Sequence, residues 1–132
     1  MNESEVKLIN RDNEVQIVKF YYPDSEPWFI EMSRNELPTA RYEGHDIFSC
    51  LRALRIKLEA FGIKVLCNGA RIDACVSGML SQSGLRKVYI TTMGKQASSA
   101  DLVNIFEEAA PEQVGTVEEQ ENYNEKWFYS GQ

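Results

Sequence analysis

Few residues in this 132-residue sequence are of types that carry out covalent or metal chemistry. His45 is the only histidine, so a serine or cysteine nucleophile with a histidine base would have to use it, and a multi-histidine metal site is excluded. Cys50, Cys67 and Cys75 lie among apolar residues and form no C-x-x-C pair. We expect them to be reduced structural thiols, and we expect no metal site.

Carboxylates and glycine loops supply no catalytic signature either. Neither G-x-G-x-x-G nor the phosphate-loop motif occurs in the chain. Adjacent carboxylates are found at Glu107-Glu108 and Glu118-Glu119, but both pairs are predicted to lie on exposed helix surface rather than in a pocket. We therefore predict that the protein is not an enzyme and that it uses no cofactor.

The segment from Cys67 to Asp73, followed by Ser77-Gly78-Met79, is the most unusual local sequence. One interpretation is a small polar recognition or catalytic site, because glycine lets a ligand approach the backbone; its residues would be Asn68, Arg71, Asp73 and Ser77. The other interpretation, which we favour, is a hairpin in which Asn68-Gly69 makes the turn and Arg71 pairs with Asp73 on one strand face.

Charge is concentrated at the C-terminal end of the chain. Residues 101–132 carry eight acidic side chains and only Lys126, a net charge of −7, whereas residues 1–100 have a net charge of +1. Such a surface repels nucleic acid and attracts a basic protein, although an acidic helix face can also serve only solubility. Aromatic anchors are enriched at interfaces, and the residues that we predict to contact a partner are Glu118, Glu121, Glu125, Trp127 and Tyr129.

Periodicity predicts a hairpin and a helix in the first half of the chain. Residues 15–22 and 28–32 are β-branched and aromatic, and the segment between them is rich in turn-forming residues. Residues 46–61 have helical spacing, with Asp46 as the N-cap and Gly62 at the end. The apolar face of this helix comprises Ile47, Leu51, Leu54, Leu58 and Phe61, and the solvent face comprises Arg52, Arg55, Lys57 and Glu59.

The residue pattern in the second half of the chain predicts three strands and two helices. The strands are expected at 63–67, 70–76 and 87–92, and the helices at 98–108 and from Thr116 onward, where Thr116 and Glu119 form a capping box. The fold class is therefore α+β. We predict a single domain over 1–132, with a mainly antiparallel four- or five-stranded sheet, one central amphipathic helix and two C-terminal helices.

No apolar run approaches the roughly 20 residues that span a bilayer, and the N-terminal residues are acidic and polar. We therefore expect neither a signal peptide nor a membrane contact, and we expect a cytoplasmic protein.

The motif Asn68-Gly69-Ala70-Arg71-x-Asp73, followed by Ser77-Gly78-Met79, resembles one found in a family of small, largely uncharacterised bacterial proteins. The resemblance covers roughly residues 47–128 and continues at Tyr89, Gly94, Ala97, Asp101 to Phe106, Val117, Gln120 and Trp127. The loop after Met79 departs from the family pattern in being poorer in glycine. No enzymatic activity comes with the resemblance.

Small acidic bacterial proteins of this kind are similar in general character to the immunity proteins of polymorphic toxin systems. These immunity proteins protect a cell from toxins delivered by contact-dependent or type VI machinery. The resemblance implies a non-enzymatic cytoplasmic inhibitor whose partner is a cognate toxin, and the acidity of the chain fits a basic, nuclease-like one.

Overall fold

The described residues form two antiparallel sheets and two α-helices. The computed structural model describes residues 1–34, 37–78 and 86–131. In the larger sheet the strands are β1 (Asn2–Ile9), β2 (Val15–Tyr22), β3 (Phe29–Arg34), β4 (Leu37–Glu43) and β5 (Lys64–Val65). The smaller sheet contains β6 (Ala74–Cys75), β7 (Lys87–Ile90) and β8 (Leu102–Asn104), and the helices are α1 (Ile47–Glu59) and α2 (Val117–Ser130).

The larger sheet has the strand order β4-β3-β2-β1-β5, and every pairing in it is antiparallel. Alternation places Val6 opposite Val18 and Phe20 opposite Met32 on the buried face. The predicted hairpin of β2 and β3 is confirmed. The polar N-terminal segment gave no strand signal, yet β1 pairs with β2 along its whole length.

Helix α1 packs on the inner face of this sheet, and its predicted N-cap is confirmed. Asp46 Oδ1 accepts a hydrogen bond of 2.6 Å from the Ser49 backbone N–H. Gly62 has a φ of +73°, which favours glycine just beyond the helix. Phe61 was assigned to the apolar face, but it follows the end of the helix and is 69% exposed.

The prediction for Arg55 is also wrong. This residue was predicted to lie on the solvent face of α1, but it is only 2% exposed. Its guanidinium donates to Gln120 Oε1 at 2.7 Å, to the Gly115 carbonyl at 3.0 Å and to the Gly69 carbonyl at 3.4 Å. Glu59, one turn along α1, lies 3.9 Å from its Nε. Burial is the main cause that lowers the pKa of Arg55 from its ordinary value.

The predicted hairpin of 63–67 with 70–76 is wrong. Residues Asn68–Ala70 form a buried 3₁₀ turn, and β6 pairs with β7 instead of with β5. A Cβ atom on Gly69 would lie 2.5 Å from Leu51 Cδ2 and 2.6 Å from Ile105 Cγ1. Glycine is therefore needed here for close packing between α1 and residue 105, not for a turn with positive φ.

The predicted helix 98–108 is also wrong. The capping box of Ser98 and Asp101 is present, but it begins only a 3₁₀ turn, after which the chain enters β8. Pairing of Val103 with Val88 places these residues in the smaller sheet. The helix beginning after Thr116 is confirmed with its capping box, so the described residues contain one C-terminal α-helix and not two. The α+β class is confirmed.

The burial of Arg55 predicts a large difference between two arginines of α1. Arg55→Met would leave the Gln120 side chain and the Gly115 carbonyl without their donor, so we expect the free energy of unfolding to fall by about 3 kcal/mol. Arg52, whose ion pair with Glu121 is exposed, is the matched control, and Arg52→Ala should cost less than about 1 kcal/mol. Urea denaturation measures both values, and equal losses would contradict this assignment.

Candidate functional site: the exposed side of the C-terminal helix

Local capping and one buried side chain set the position of α2. Thr116 Oγ1 accepts from the Glu119 N–H at 3.1 Å, and Glu119 Oε1 accepts from the Thr116 N–H at 2.9 Å. Hydrogen bonding from the Thr116 backbone lowers the pKa of Glu119. Gln120 is buried and donates from Nε2 to the Gly69 and Arg71 carbonyls, at 2.9 and 2.8 Å.

The acidic ridge, which we define as Glu118, Glu121 and Glu125, lies on the exposed side of α2. These residues follow one another at spacings of three and four, so their side chains project from one stripe. Glu121 accepts from Arg52 of α1 at 2.7 Å, and part of its charge is thereby compensated within the chain. Glu118 and Glu125 make no ion pair with any described residue.

The aromatic end, defined as Phe128 and Tyr129, lies at the last turn of α2. Phe128 is 60% exposed and Tyr129 is 64% exposed, and their rings meet edge to face with centroids 5.3 Å apart. Glu125 and Tyr129 also line one shallow surface depression. Trp127 is different from these two, because it is half-buried and donates from Nε1 to the Lys95 carbonyl at 2.9 Å. The sequence interpretation named Trp127 and Tyr129 but missed Phe128.

The C-terminal groove is a concave site of about 520 Å³ between α2 and the smaller sheet. Its walls are residues 75–77, Tyr89, residues 95–97, Trp127-Phe128 and Gly131. The groove is lined both by Ser77, from the alternative polar site, and by Trp127, from the predicted partner-binding residues. Sequence reasoning had no signal for this, because the walls come from four separate segments.

Asn68, Arg71 and Asp73 of the alternative polar site make hydrogen bonds within the chain. Asn68 is buried and donates from Nδ2 to the Asn104 carbonyl at 3.1 Å. Arg71 makes two parallel hydrogen bonds with Asp73, of 2.8 and 2.9 Å, so the predicted pairing of these side chains is confirmed. Ser77 alone among the four lines the groove.

The only histidine lies beside a serine and an aspartate, but not in the geometry of a catalytic triad. Ser49 Oγ lies 3.2 Å from His45 Nδ1 and 3.1 Å from Nε2, so it is not aligned with the lone pair of either nitrogen. Asp46 Oδ2 is 3.6 Å from Nε2, and the His45 side chain is 81% exposed. In the part of the chain that the structure describes, no cluster of three or more His, Cys, Asp or Glu could hold a metal ion.

The three cysteines are free thiols, and burial raises the pKa of each from 9.0. The value is about 12 for Cys50 and about 11 for Cys67 and Cys75. Cys75 lines the C-terminal groove. Thiols with such values are protonated at neutral pH, and this disfavours a nucleophilic role.

Comparison with known proteins gives no assignment for this arrangement. No protein-family model matches the chain, and no curated protein matches its sequence. Across residues 1–34, 37–78 and 86–131, no helix combines the length and apolar character that crossing a bilayer requires. The interpretation of the surfaces therefore depends on their own contacts, exposure and charge.

The raised pKa of Cys67 predicts a stability change at alkaline pH. Between pH 9 and 11 the folded thiol keeps a proton that the unfolded thiol releases, so the folded state binds more protons and the free energy of unfolding falls as pH rises. We expect the stability difference between the wild-type protein and Cys67→Ala to be constant below about pH 8.5. Above pH 9 it should shrink by up to about 1.4 kcal/mol per pH unit. Urea denaturation across this range provides the measurement, and a constant difference up to pH 11 would contradict the burial argument.

Proposed function

We propose that this protein acts without catalysis, by binding a basic protein partner through the acidic ridge and aromatic end of α2. The observation that carries the proposal is that Glu125 and exposed Tyr129 line one shallow depression on a firmly anchored helix. A partner side chain that enters this depression meets an aromatic ring, the Glu125 carboxylate and Lys126. Interfaces commonly place aromatic anchors beside charges that orient the partner.

The acidic ridge supplies the electrostatic part of this recognition. Glu118 and Glu125 form no ion pair with a described basic side chain, and the region from residue 101 onward has a net charge of −7 although Lys126 lies beside Glu125. A field of one sign raises the rate at which a basic partner is encountered and orients it before contact. Glu121 contributes less, because Arg52 already holds its carboxylate.

The aromatic end supplies the area that is buried on binding. Two adjacent rings that are each more than half exposed are costly to leave in water, and aromatic side chains lose little conformational entropy when they are immobilised. Such a pair beside a charged stripe supports an interface in which the charges speed association with the partner and the buried rings supply most of the affinity.

We propose a bacterial toxin as the partner, neutralised in the cytoplasm of the cell that makes this protein. Support comes from the likeness in general character to small acidic immunity proteins and from chain acidity, since an inhibitor of a basic, nuclease-like toxin needs no active site of its own. The alternative of a ligand or catalytic site at Asn68, Arg71, Asp73 and Ser77 has weaker support. The polar groups of Asn68, Arg71 and Asp73 are already engaged inside the chain.

Charge reversal on the acidic ridge tests this proposal. The proposal predicts that the gene lies immediately downstream of a large secreted-toxin gene. The probe is the C-terminal domain of that toxin, which should co-purify with the protein and lose its toxicity when the protein is co-expressed. With such a domain, the double variant Glu118→Lys/Glu125→Lys should reduce the association rate at least about tenfold at low salt. The loss should shrink above about 0.1 M salt, where the Debye length falls below about 10 Å.

The matched control is Glu3→Lys/Glu14→Lys, which changes the net charge equally at exposed positions on β1 and in the turn after it. These control positions belong to β1 and the turn after it, whereas α2 packs on α1 and β6. The control should retain association within about twofold. Equal rates for the two double variants at every salt concentration would refute binding through the acidic ridge.

A further inference from the structure

The C-terminal groove has the size and composition of a small-molecule site and is not part of the acidic ridge. Its volume of about 520 Å³ lies within the roughly 300–1,000 Å³ that is typical of ligand pockets. Three aromatic residues, Tyr89, Trp127 and Phe128, contribute to its walls. Gln96 adds a side-chain amide that can bind a ligand by hydrogen bonds.

Hydrogen bonds between segments hold the walls of the groove in place. Trp127 Nε1 donates to the Lys95 carbonyl at 2.9 Å, and the Gly94 N–H donates to Ser130 Oγ at 2.9 Å. On the opposite wall, Asn124 Nδ2 donates to the Ala74 carbonyl at 3.1 Å. These bonds tie both walls to α2, so the groove is formed before any ligand enters, which reduces the entropy that binding costs.

The charge of the lining selects the ligand class. Lys95 is the one charged residue among those that form the walls, and no carboxylate in the described ranges lies within ion-pair distance of its ammonium group. The chain has a net charge of −6, and Glu125 lies one helical turn before Phe128, so salt at 0.1 M, with a Debye length of about 10 Å, screens only the more distant carboxylates from the groove. The groove thus has one basic residue, Lys95, among its aromatic and apolar walls.

We propose that the C-terminal groove binds a small aromatic carboxylate. The flat ring lies against Trp127 and Phe128, and the carboxylate pairs with the Lys95 ammonium, with Ser77 and Gln96 within the same lining. Offset stacking of aromatic rings and a charge-assisted hydrogen bond each add specificity to such a site. The site shares Phe128 with the proposed partner surface, but the binding of a small carboxylate does not depend on that partner.

Three probes of equal ring size test the proposal: 2-naphthoate, the neutral 2-naphthylmethanol and the cationic 2-naphthylmethylammonium. The sequence has two tryptophans, so ¹H–¹⁵N spectra contain two indole signals, which Trp28→Phe assigns. Titration with 2-naphthoate should shift the Trp127 signal saturably and leave the Trp28 signal in place. The naphthoate Kd should be at least about tenfold lower than that of the cation and severalfold lower than that of the alcohol.

Two lysine variants separate a site from nonspecific adsorption. Lys95→Gln should raise the naphthoate Kd to that of the neutral alcohol, whereas Lys126→Gln, an exposed lysine of α2 outside the groove lining, should change it less than twofold. Ala97→Phe, which fills the groove, should abolish the Trp127 shift. Equal affinity for the three probes, or equal effects of the two lysine variants, would overturn the proposal. A saturable shift of the Trp28 signal alone would also overturn the proposal.

Discussion

The buried guanidinium of Arg55 is the contact on which the arrangement of this chain depends. A charged group without hydrogen-bond partners would be very costly in such surroundings, so its partners must be held in place. Gln120 and Gly115 supply those partners from the C-terminal part of the chain, more than 50 residues away in sequence. Glu59 extends the contact, because its carboxylate accepts the Val117 N–H at 3.0 Å at the start of α2.

This network determines which side of α2 faces solvent. With Val117 and Gln120 turned inward, helical spacing leaves the acidic ridge and the aromatic end on the outside. Trp127 then reaches across to Lys95 and closes one side of the C-terminal groove. The proposed partner surface and the proposed ligand groove consequently lie on adjoining sides of one helix, share Phe128, and depend on the same anchor.

Local patterns in the sequence predicted the elements whose partners are local or whose period is strong. The β2–β3 hairpin, α1 and the Thr116 capping box were all found by alternation, helical spacing and cap chemistry. The failures have a common cause in long-range contacts. Arg55 was assigned to the solvent face because it is charged, although it lies four residues after Leu51 and three before Leu58. Its burial depends on the distant Gln120. Asn68-Gly69 has the residue types of a hairpin turn, but Leu51 and Ile105 pack closely against Gly69.

The same cause limited prediction of the candidate sites. The exposed acidic stripe could be predicted because helical spacing alone determines it, but the ion pair of Glu121 with Arg52 joins residues 69 apart. The groove brings Ser77, Lys95 and Trp127 together through β6, β7 and the end of α2, and no spacing in the sequence indicates that meeting. The capping box of Ser98 and Asp101 likewise does not lead into an α-helix, because Val103 pairs with Val88 and the chain continues as β8.

Hydrogen exchange in the variant Arg55→Lys tests the central role of this anchor most directly. Lysine keeps the charge but lacks the planar fork that reaches several acceptors at once. We predict that interior amides of α2 and the amides of residues 69–71 lose protection by local opening, while amides of β1 and β2 keep that of the wild-type protein. If α2 retains its protection relative to β1 and β2 in this variant, Arg55 does not hold the helix in place and the account is wrong.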